Sequence, residues 1–250
     1  MDFSDKVVIV TGGSSGIGAA SAKLFASHGA LVVLVGRNVQ RLDQVASECE
    51  VKGQKPLKLA LDLTAAGSCE QVVRKTIETF KKIDVLVNCA GQGIMTSLFD
   101  DDMQVFDELF ALNVRVPYRL TQLCVPYLTK TKGNVVNVFG SHCRGTPGML
   151  PFCMFKDAME RFTRAGALEL VCVGIRMNAV RTGICRTNFL TNFNVCEEAK
   201  DAAYEMICKD VTPNNVPIEP EEVARMVVFT ASETCPSVNG ASLCIDAAAC

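Results

Sequence analysis

Tryptophan is missing from the 250 residues, tyrosine occurs three times and histidine twice. Side chains that exchange protons near neutral pH are therefore scarce. Charged residues make up 21 per cent, the net charge is −2, and lysine and arginine form no block. Nothing is available to follow a phosphate backbone, so no nucleic-acid partner is expected. No apolar run approaches the ~18 residues of a membrane span. The first strand pattern starts near Lys6 and leaves no room for a leader, so a cytoplasmic location without a membrane partner is expected. The thirteen cysteines are odd in number and lack paired metal-ligand spacing. No metal site is expected. Free thiols used as small apolar groups are expected instead, several of them inside apolar runs (Cys89, Cys172, Cys244). Internal repeats, low-complexity tracts and domain linkers are lacking too.

What is present is a folded composition, 49 per cent apolar, long enough for one large domain over residues 1–250. Apolar, β-branched runs at 7–10, 31–35, 57–63, 85–88, 135–139, 175–180 and 242–245 do not alternate in polarity, as strands covered on both faces require. Helical patterns fill the gaps at 19–27, 40–51, 70–82, about 103–128, 154–170 and 220–231. In the third of these, Val72, Val73, Ile77 and Phe80 share one face. This alternation predicts an α/β fold: a doubly wound, parallel, seven-stranded sheet with helices on both faces. The polar stretch 187–217 reads as the weakest order, suited to a lid over a substrate pocket.

After the first strand comes Thr11-Gly12-Gly13-Ser14-Ser15-Gly16-Ile17-Gly18, opening a helix. Gly12 suits a tight turn. Gly16 and Gly18 let backbone approach a pyrophosphate at the positive end of that helix. With Asp62-Leu63 after the third strand, Asn88-Cys89-Ala90-Gly91 after the fourth, and Asn113 in the long helix, the chain resembles the single-domain short-chain dehydrogenase/reductase family from about residue 5 to 246. The resemblance implies a dinucleotide held by Thr11, Gly12, Ser14, Ser15, Gly16, Ile17, Gly18, Asp62, Leu63, Asn88, Ala90, Gly91, Lys156 and Thr187. At the end of the second strand stands Arg37 where NAD binding would call for a carboxylate. A guanidinium suits a phosphate, so Arg37, helped by Arg41, argues for NADP(H) over NAD(H).

The resemblance also implies a catalytic group made of a serine, a tyrosine, a lysine four residues on and a helix asparagine. Asn113 and Lys156 match. The tyrosine position reads Phe152 in Phe152-Cys153-Met154-Phe155-Lys156, and a phenyl ring has no proton to give. The serine is expected near Phe139 or Gly140, with Ser141 one or two places late. The family's Asn-Pro-Gly becomes Arg181-Thr182-Gly183, so that Arg181 either pairs with a cofactor phosphate or blocks the nicotinamide pocket. Asp246-Ala247-Ala248 stands where Asp-Gly-Gly is usual.

The preferred reading is an NADP(H)-binding protein, impaired as an oxidoreductase, that acts in ligand binding or regulation. Its pocket, lined by Phe139, Met149, Leu150 and Phe152, suits a small lipophilic or carbonyl ligand, and a regulatory protein partner is a further expectation. The alternative is an active NADP(H)-dependent carbonyl reductase or alcohol dehydrogenase whose acid is His142 or Tyr204. A third reading is an interaction module that has lost the cofactor. Relatives pair through the long helix and the Lys156 helix, where Met159, Phe162 and Ala165 to Leu168 offer apolar surface. A homodimer or homotetramer is therefore expected.

Overall fold

The computed structural model describes residues 1–50, 54–100, 102–140, 147–193 and 195–249. Seven parallel strands form one sheet: β1 (Val7–Thr11), β2 (Leu31–Gly36), β3 (Leu57–Ala60), β4 (Val85–Asn88), β5 (Asn134–Gly140), β6 (Arg176–Thr182) and β7 (Ser242–Ile245). Their order is β3-β2-β1-β4-β5-β6-β7. Helices α1 (Gly16–Ser27), α2 (Val39–Cys49), α3 (Ser68–Phe80), α4 (Gln104–Phe110), α5 (Val116–Thr131), α6 (Leu150–Leu170), α7 (Lys200–Val211) and α8 (Pro220–Ala231) complete the chain. This is the expected doubly wound architecture.

Side chains leave a strand on alternate faces, and here both faces are covered. Val8, Val10, Val32 and Leu34 pack under Phe25, Leu42, Val223 and Val227 from α1, α2 and α8. Val7, Ile9, Val33 and Val35 pack against Val72, Leu120, Leu128 and Ala167 from α3, α5 and α6. Strand order reverses at β1, which pairs with β2 on one side through Val10↔Leu34 and with β4 on the other through Val10↔Val87. At such a reversal the connecting helices diverge and leave a crevice beyond the strand ends. Among the described residues no helix is long and apolar enough to cross a membrane.

Several expected elements differ in detail. Strand β3 stops at Ala60 rather than residue 63, because the Asp62 carboxylate accepts from Thr64 N and Oγ1 at 2.9 and 2.7 Å and turns the chain. The long helix is not continuous. A wide π-helical turn, Ala111–Arg115, separates α4 from α5, and Asn113 Nδ2 donates to the Leu109 carbonyl at 2.9 Å within it. The 187–217 stretch is not irregular throughout: it holds a 3-10 turn, Asn188–Phe193, and all of α7, which buries Tyr204 and Cys208.

Two cysteines expected inside are exposed. Cys172 sits in a one-turn 3-10 helix after α6, and Cys244 lies on the edge strand β7. Tyr118 is 57 per cent exposed, although its ring lies 5.5 Å from that of Phe162.

Candidate functional site

The crevice at the ends of β1 and β4 is built by short side chains. Thr11 is buried, and its hydroxyl donates to the Val87 carbonyl at 3.2 Å while accepting from Cys89 N at 3.0 Å and Ala90 N at 3.1 Å. One oxygen thus fixes the glycine turn against the loop after β4. Gly12 has φ +68°, and a Cβ there would come 3.1 Å from Ala90 backbone atoms. Gly18 is tighter still, since its Cβ would lie 2.3 Å from the Gly12 carbonyl oxygen. Ser14 fits against Gly36, whose own Cβ would meet its Oγ at 2.9 Å.

Ser15 is extended at the N-cap of α1, with no side-chain capping bond and no acid in the first turn. The leading N–H groups of α1 are therefore free of any side-chain cap, which suits an anion. Ile17 is half-buried and packs on the sheet. Thr187, from the strap after β6, leans over Gly16, whose Cβ would come 3.0 Å from its methyl.

On the far side of the crevice Arg37 is exposed at the end of β2. Asp62 is exposed beside it, its carboxyl held below the usual range first by the Thr64 hydroxyl and also by the Arg37 charge. Leu63 is buried beneath. Arg41 is exposed in the first turn of α2, where its backbone N–H is capped by Asn38. This set fits a dinucleotide. The glycine turn admits backbone approach, α1 offers donors, and Arg37 can face a charged ribose substituent.

Deeper in, Asn88 Nδ2 donates to Asn137 Oδ1 at 2.9 Å and to Thr121 Oγ1 at 3.3 Å. Asn137 Nδ2 passes the chain on to Thr163 of α6 at 2.9 Å. These bonds clamp β4, β5, α5 and α6 together beneath the site. Gln92 closes against the π turn, its carbonyl accepting from Asn113 Nδ2 at 3.0 Å. Asn113 Oδ1 accepts from Lys156 Nζ at 3.1 Å and from Gln92 N at 3.4 Å.

Lys156 is 8 per cent exposed. Burial lowers its pKa to about 8, and the Cys89 thiol counters only in part. Burial also pushes the Cys89 thiol up to about 12. Phe152, one turn earlier on α6 and also buried, lays its ring 4.6 Å from the Lys156 ammonium. Its other neighbours include Phe189 of the strap, 5.4 Å between ring centres, and Phe189 in turn meets Phe193 at 5.3 Å. Both strap rings crowd Gly93, where a Cβ would fall 2.6 Å from Phe189 and 3.2 Å from Phe193.

The structure thus brings together Asn113, Lys156, Phe152, Gly91 and the glycine turn. Ser141 and His142 lie outside the described residues. Arg181 pairs with Glu160 of α6 at 3.2 Å. Phe139 is buried and packs on Met159 and Ala179. The Tyr204 hydroxyl donates to the Thr187 carbonyl at 3.0 Å and accepts from Thr187 N at 3.2 Å, which commits it to bracing the strap. The residues not anticipated are Gln92, Gly93, Phe189 and Phe193. For the two phenylalanines, aromatic spacing of four inside a polar stretch was the available signal.

A profile of the family described as short chain dehydrogenase matches residues 6–198. The chain is 30 per cent identical to meso-2,3-butanediol dehydrogenase of Serratia marcescens over 250 residues, covering 100 per cent of this chain and 96 per cent of the relative. It is 32 per cent identical to a 3-oxoacyl-[acyl-carrier-protein] reductase of Thermotoga maritima, covering 98 per cent of each. A Caenorhabditis elegans short-chain dehydrogenase/reductase of unknown function, solved with cofactor, superposes with a TM-score of 0.93 at 30 per cent identity, covering 99 per cent of this chain and 96 per cent of that one. L-sorbose reductase of Gluconobacter frateurii, solved with NADPH and L-sorbose, gives 0.89 at 28 per cent identity, covering 99 and 97 per cent. With its parallel sheet, glycine turn and Asn113–Lys156 pair, the chain belongs to the short-chain dehydrogenase/reductase family.

Proposed function

We propose that this protein binds NADP(H) in the β1/β4 crevice and is impaired as an oxidoreductase, acting in ligand binding or regulation. The observation that carries this reading is the Phe152 ring against the Lys156 ammonium. Where active relatives place a phenol beside the lysine, this chain places a group without a hydroxyl. NADPH, when bound, supplies a hydride. Thr11 and the glycine turn would shape the seat for its pyrophosphate, the uncapped N–H groups of α1 would meet that anion, and Arg37 would meet the ribose phosphate. Lys156, which Asn113 positions, would hold the nicotinamide ribose, and Asn88, Ala90 and Gly91 would form the adjoining wall. The strap, with Thr187 and Phe189, serves as the lid.

A positioned acid contributes ~10²–10⁴ in rate, and nothing at Phe152 replaces it. Tyr204, already committed to Thr187, is a poor substitute. Exposed Tyr118, Met154 and Leu168 on α5 and α6 support homo-oligomer formation through those helices.

The test pairs binding with turnover. At NADPH about 100-fold above Kd, stabilisation of about 2.7 kcal/mol is expected, accompanied by no NADPH oxidation above background across a ketone panel. Ordinary reductase turnover in the unmodified protein contradicts impairment and favours the alternative, an active reductase with another acid. Absence of any NADPH-induced stabilisation contradicts the cofactor assignment.

A further inference from the structure

We propose that Phe152 is a positioning residue whose ring face holds the buried Lys156 ammonium in place as a cation–π partner. The ring then supplies an electrostatic contact of its own and is more than a lost hydroxyl. The contact belongs to the nucleotide-free protein. Its use, a cation kept ready for the nucleotide, rests on the cofactor reading above.

The sequence itself puts the two side chains together. Residues four apart share one face of a helix, and Phe152 and Lys156 stand one turn apart on α6. Both are buried. The ammonium lies over the ring, 4.6 Å from its centre, inside the ~6 Å at which the negative face of an aromatic ring attracts a cation. Phe189 packs beside that ring at 5.4 Å and limits its swing.

The other supports of the ammonium are few. It has three N–H donors and no acceptor. Among the described residues its hydrogen-bond acceptor is Asn113 Oδ1 at 3.1 Å, an oxygen shared with Gln92 N at 3.4 Å. Gly91 brings no side chain to the adjoining side, where an added Cβ would stand 3.0 Å from that oxygen.

Among the described residues no carboxylate pairs with Lys156. The loop after β4 brings the Cys89 thiol, kept protonated by burial. The π turn brings Arg115, and α4 brings Asp107 and Glu108, all exposed. The strap brings Phe189, which does not titrate. On α6, Cys153 is half-buried, Asp157 is exposed, and Glu160 is paired with Arg164 at 2.8 Å and with Arg181 at 3.2 Å. A buried charge without a counter-ion is costly, and the ring face offsets part of that cost. The lysine, lowered to about 8 by burial, is still mostly charged at neutral pH.

The test replaces Phe152 with 4-fluoro-, 3,5-difluoro- and 3,4,5-trifluorophenylalanine. These drain the ring face stepwise at nearly constant shape. The titration of Lys156 is followed by carbon-13 NMR of its Cε in nucleotide-free protein labelled on lysine, with Lys156→Met assigning the signal. A desolvated cation–π contact changes a proton equilibrium by roughly ten- to thirtyfold. The Lys156 proton should therefore become about tenfold easier to lose in Phe152→Leu, and progressively easier to lose as fluorines are added. Phe152→Tyr, which keeps the face, should hold the proton at least as tightly as the parent. Exposed Lys209 should titrate alike in every protein.

A Lys156 titration indifferent to fluorine count overturns the proposal, even where Phe152→Leu alters it, because leucine changes packing as well. Should the fluorinated chains not fold, equal titration of Lys156 in Phe152→Tyr and Phe152→Leu overturns it instead. NADPH titrations of the same proteins keep the two readings apart. Absence of NADPH binding throughout sinks the cofactor assignment and leaves the NMR result standing.

Discussion

Substituting Gly18 by alanine tests the nucleotide cradle at its tightest point. The added Cβ would lie 2.3 Å from the Gly12 carbonyl oxygen and 2.7 Å from its carbon. Ordinary contact begins about 1 Å farther out, and neither atom is the tip of a flexible side chain. The glycine turn must therefore move away from α1, or α1 from the turn. Overpacking of this kind costs about 1–3 kcal/mol, offset in part by the roughly 1 kcal/mol that alanine gains over glycine within a helix. The net loss expected is about 0–2 kcal/mol, or a Tm lower by up to roughly 8 °C for a domain of this size. Nucleotide affinity should fall much further in proportion, by tenfold or more, because the displaced turn is the surface the pyrophosphate would touch. Gly67→Ala is the control. Its φ of +79° makes it strained, but nothing lies within 4 Å of the added Cβ, and it sits at the start of α3. It should lower Tm modestly and leave NADPH binding unchanged. Differential scanning fluorimetry with and without NADPH reads both quantities. If Gly18→Ala binds NADPH as tightly as the parent, the turn is not the phosphate seat.

Thr11→Val keeps the shape but removes the oxygen shared by Val87, Cys89 and Ala90. With two N–H groups stranded at about 1–3 kcal/mol each, urea unfolding should show a loss of about 2–6 kcal/mol, and Thr11→Ser should recover most of it. Lys156 has a folded pKa near 8 against an ordinary 10.5, so its protonated form opposes folding by about 3 kcal/mol. The penalty is constant below pH 8 and is relieved as pH rises from 8 to 10.5, where the unfolded chain binds the extra proton. Lys156→Met should accordingly be the more stable protein at pH 7 by urea unfolding, with its advantage shrinking between pH 8 and 10.5. An advantage that grows with pH would contradict the assignment. Arg37→Glu should weaken NADPH by roughly 10–100-fold, as expected for a charged hydrogen bond worth about 1.5–3 kcal/mol, and leave NADH unharmed in calorimetric titrations. Equal losses for both would show that Arg37 does not read the phosphate.

Strand order and layering were legible because the central strands are covered on both faces and so carry uninterrupted runs such as Val7-Val8-Ile9-Val10. The glycine turn was legible because close backbone approach admits few residue types. Helix α7 was not, since Lys200–Val211 is rich in charge and buries only Lys200, Tyr204 and Cys208. The break at Asn113 was hidden as well, because a side chain taking over its own helix carbonyl leaves no periodic trace. Contacts between residues far apart in sequence were the least accessible. The Lys156–Asn113 bond spans 43 positions, and the pairing of Arg181 with Glu160 depends on how α6 lies over β6.

The central claim is that the missing hydroxyl at Phe152 silences hydride transfer in an otherwise assembled site. Its most direct test is the initial rate of NADPH oxidation with small ketones, measured for the parent and for the double variant Phe152→Tyr with Gly140→Ser. The account predicts a silent parent and a variant faster by about 10²–10⁴-fold, the contribution of a positioned acid. A parent that already turns over at ordinary rates, with no gain on installing the phenol, would contradict it.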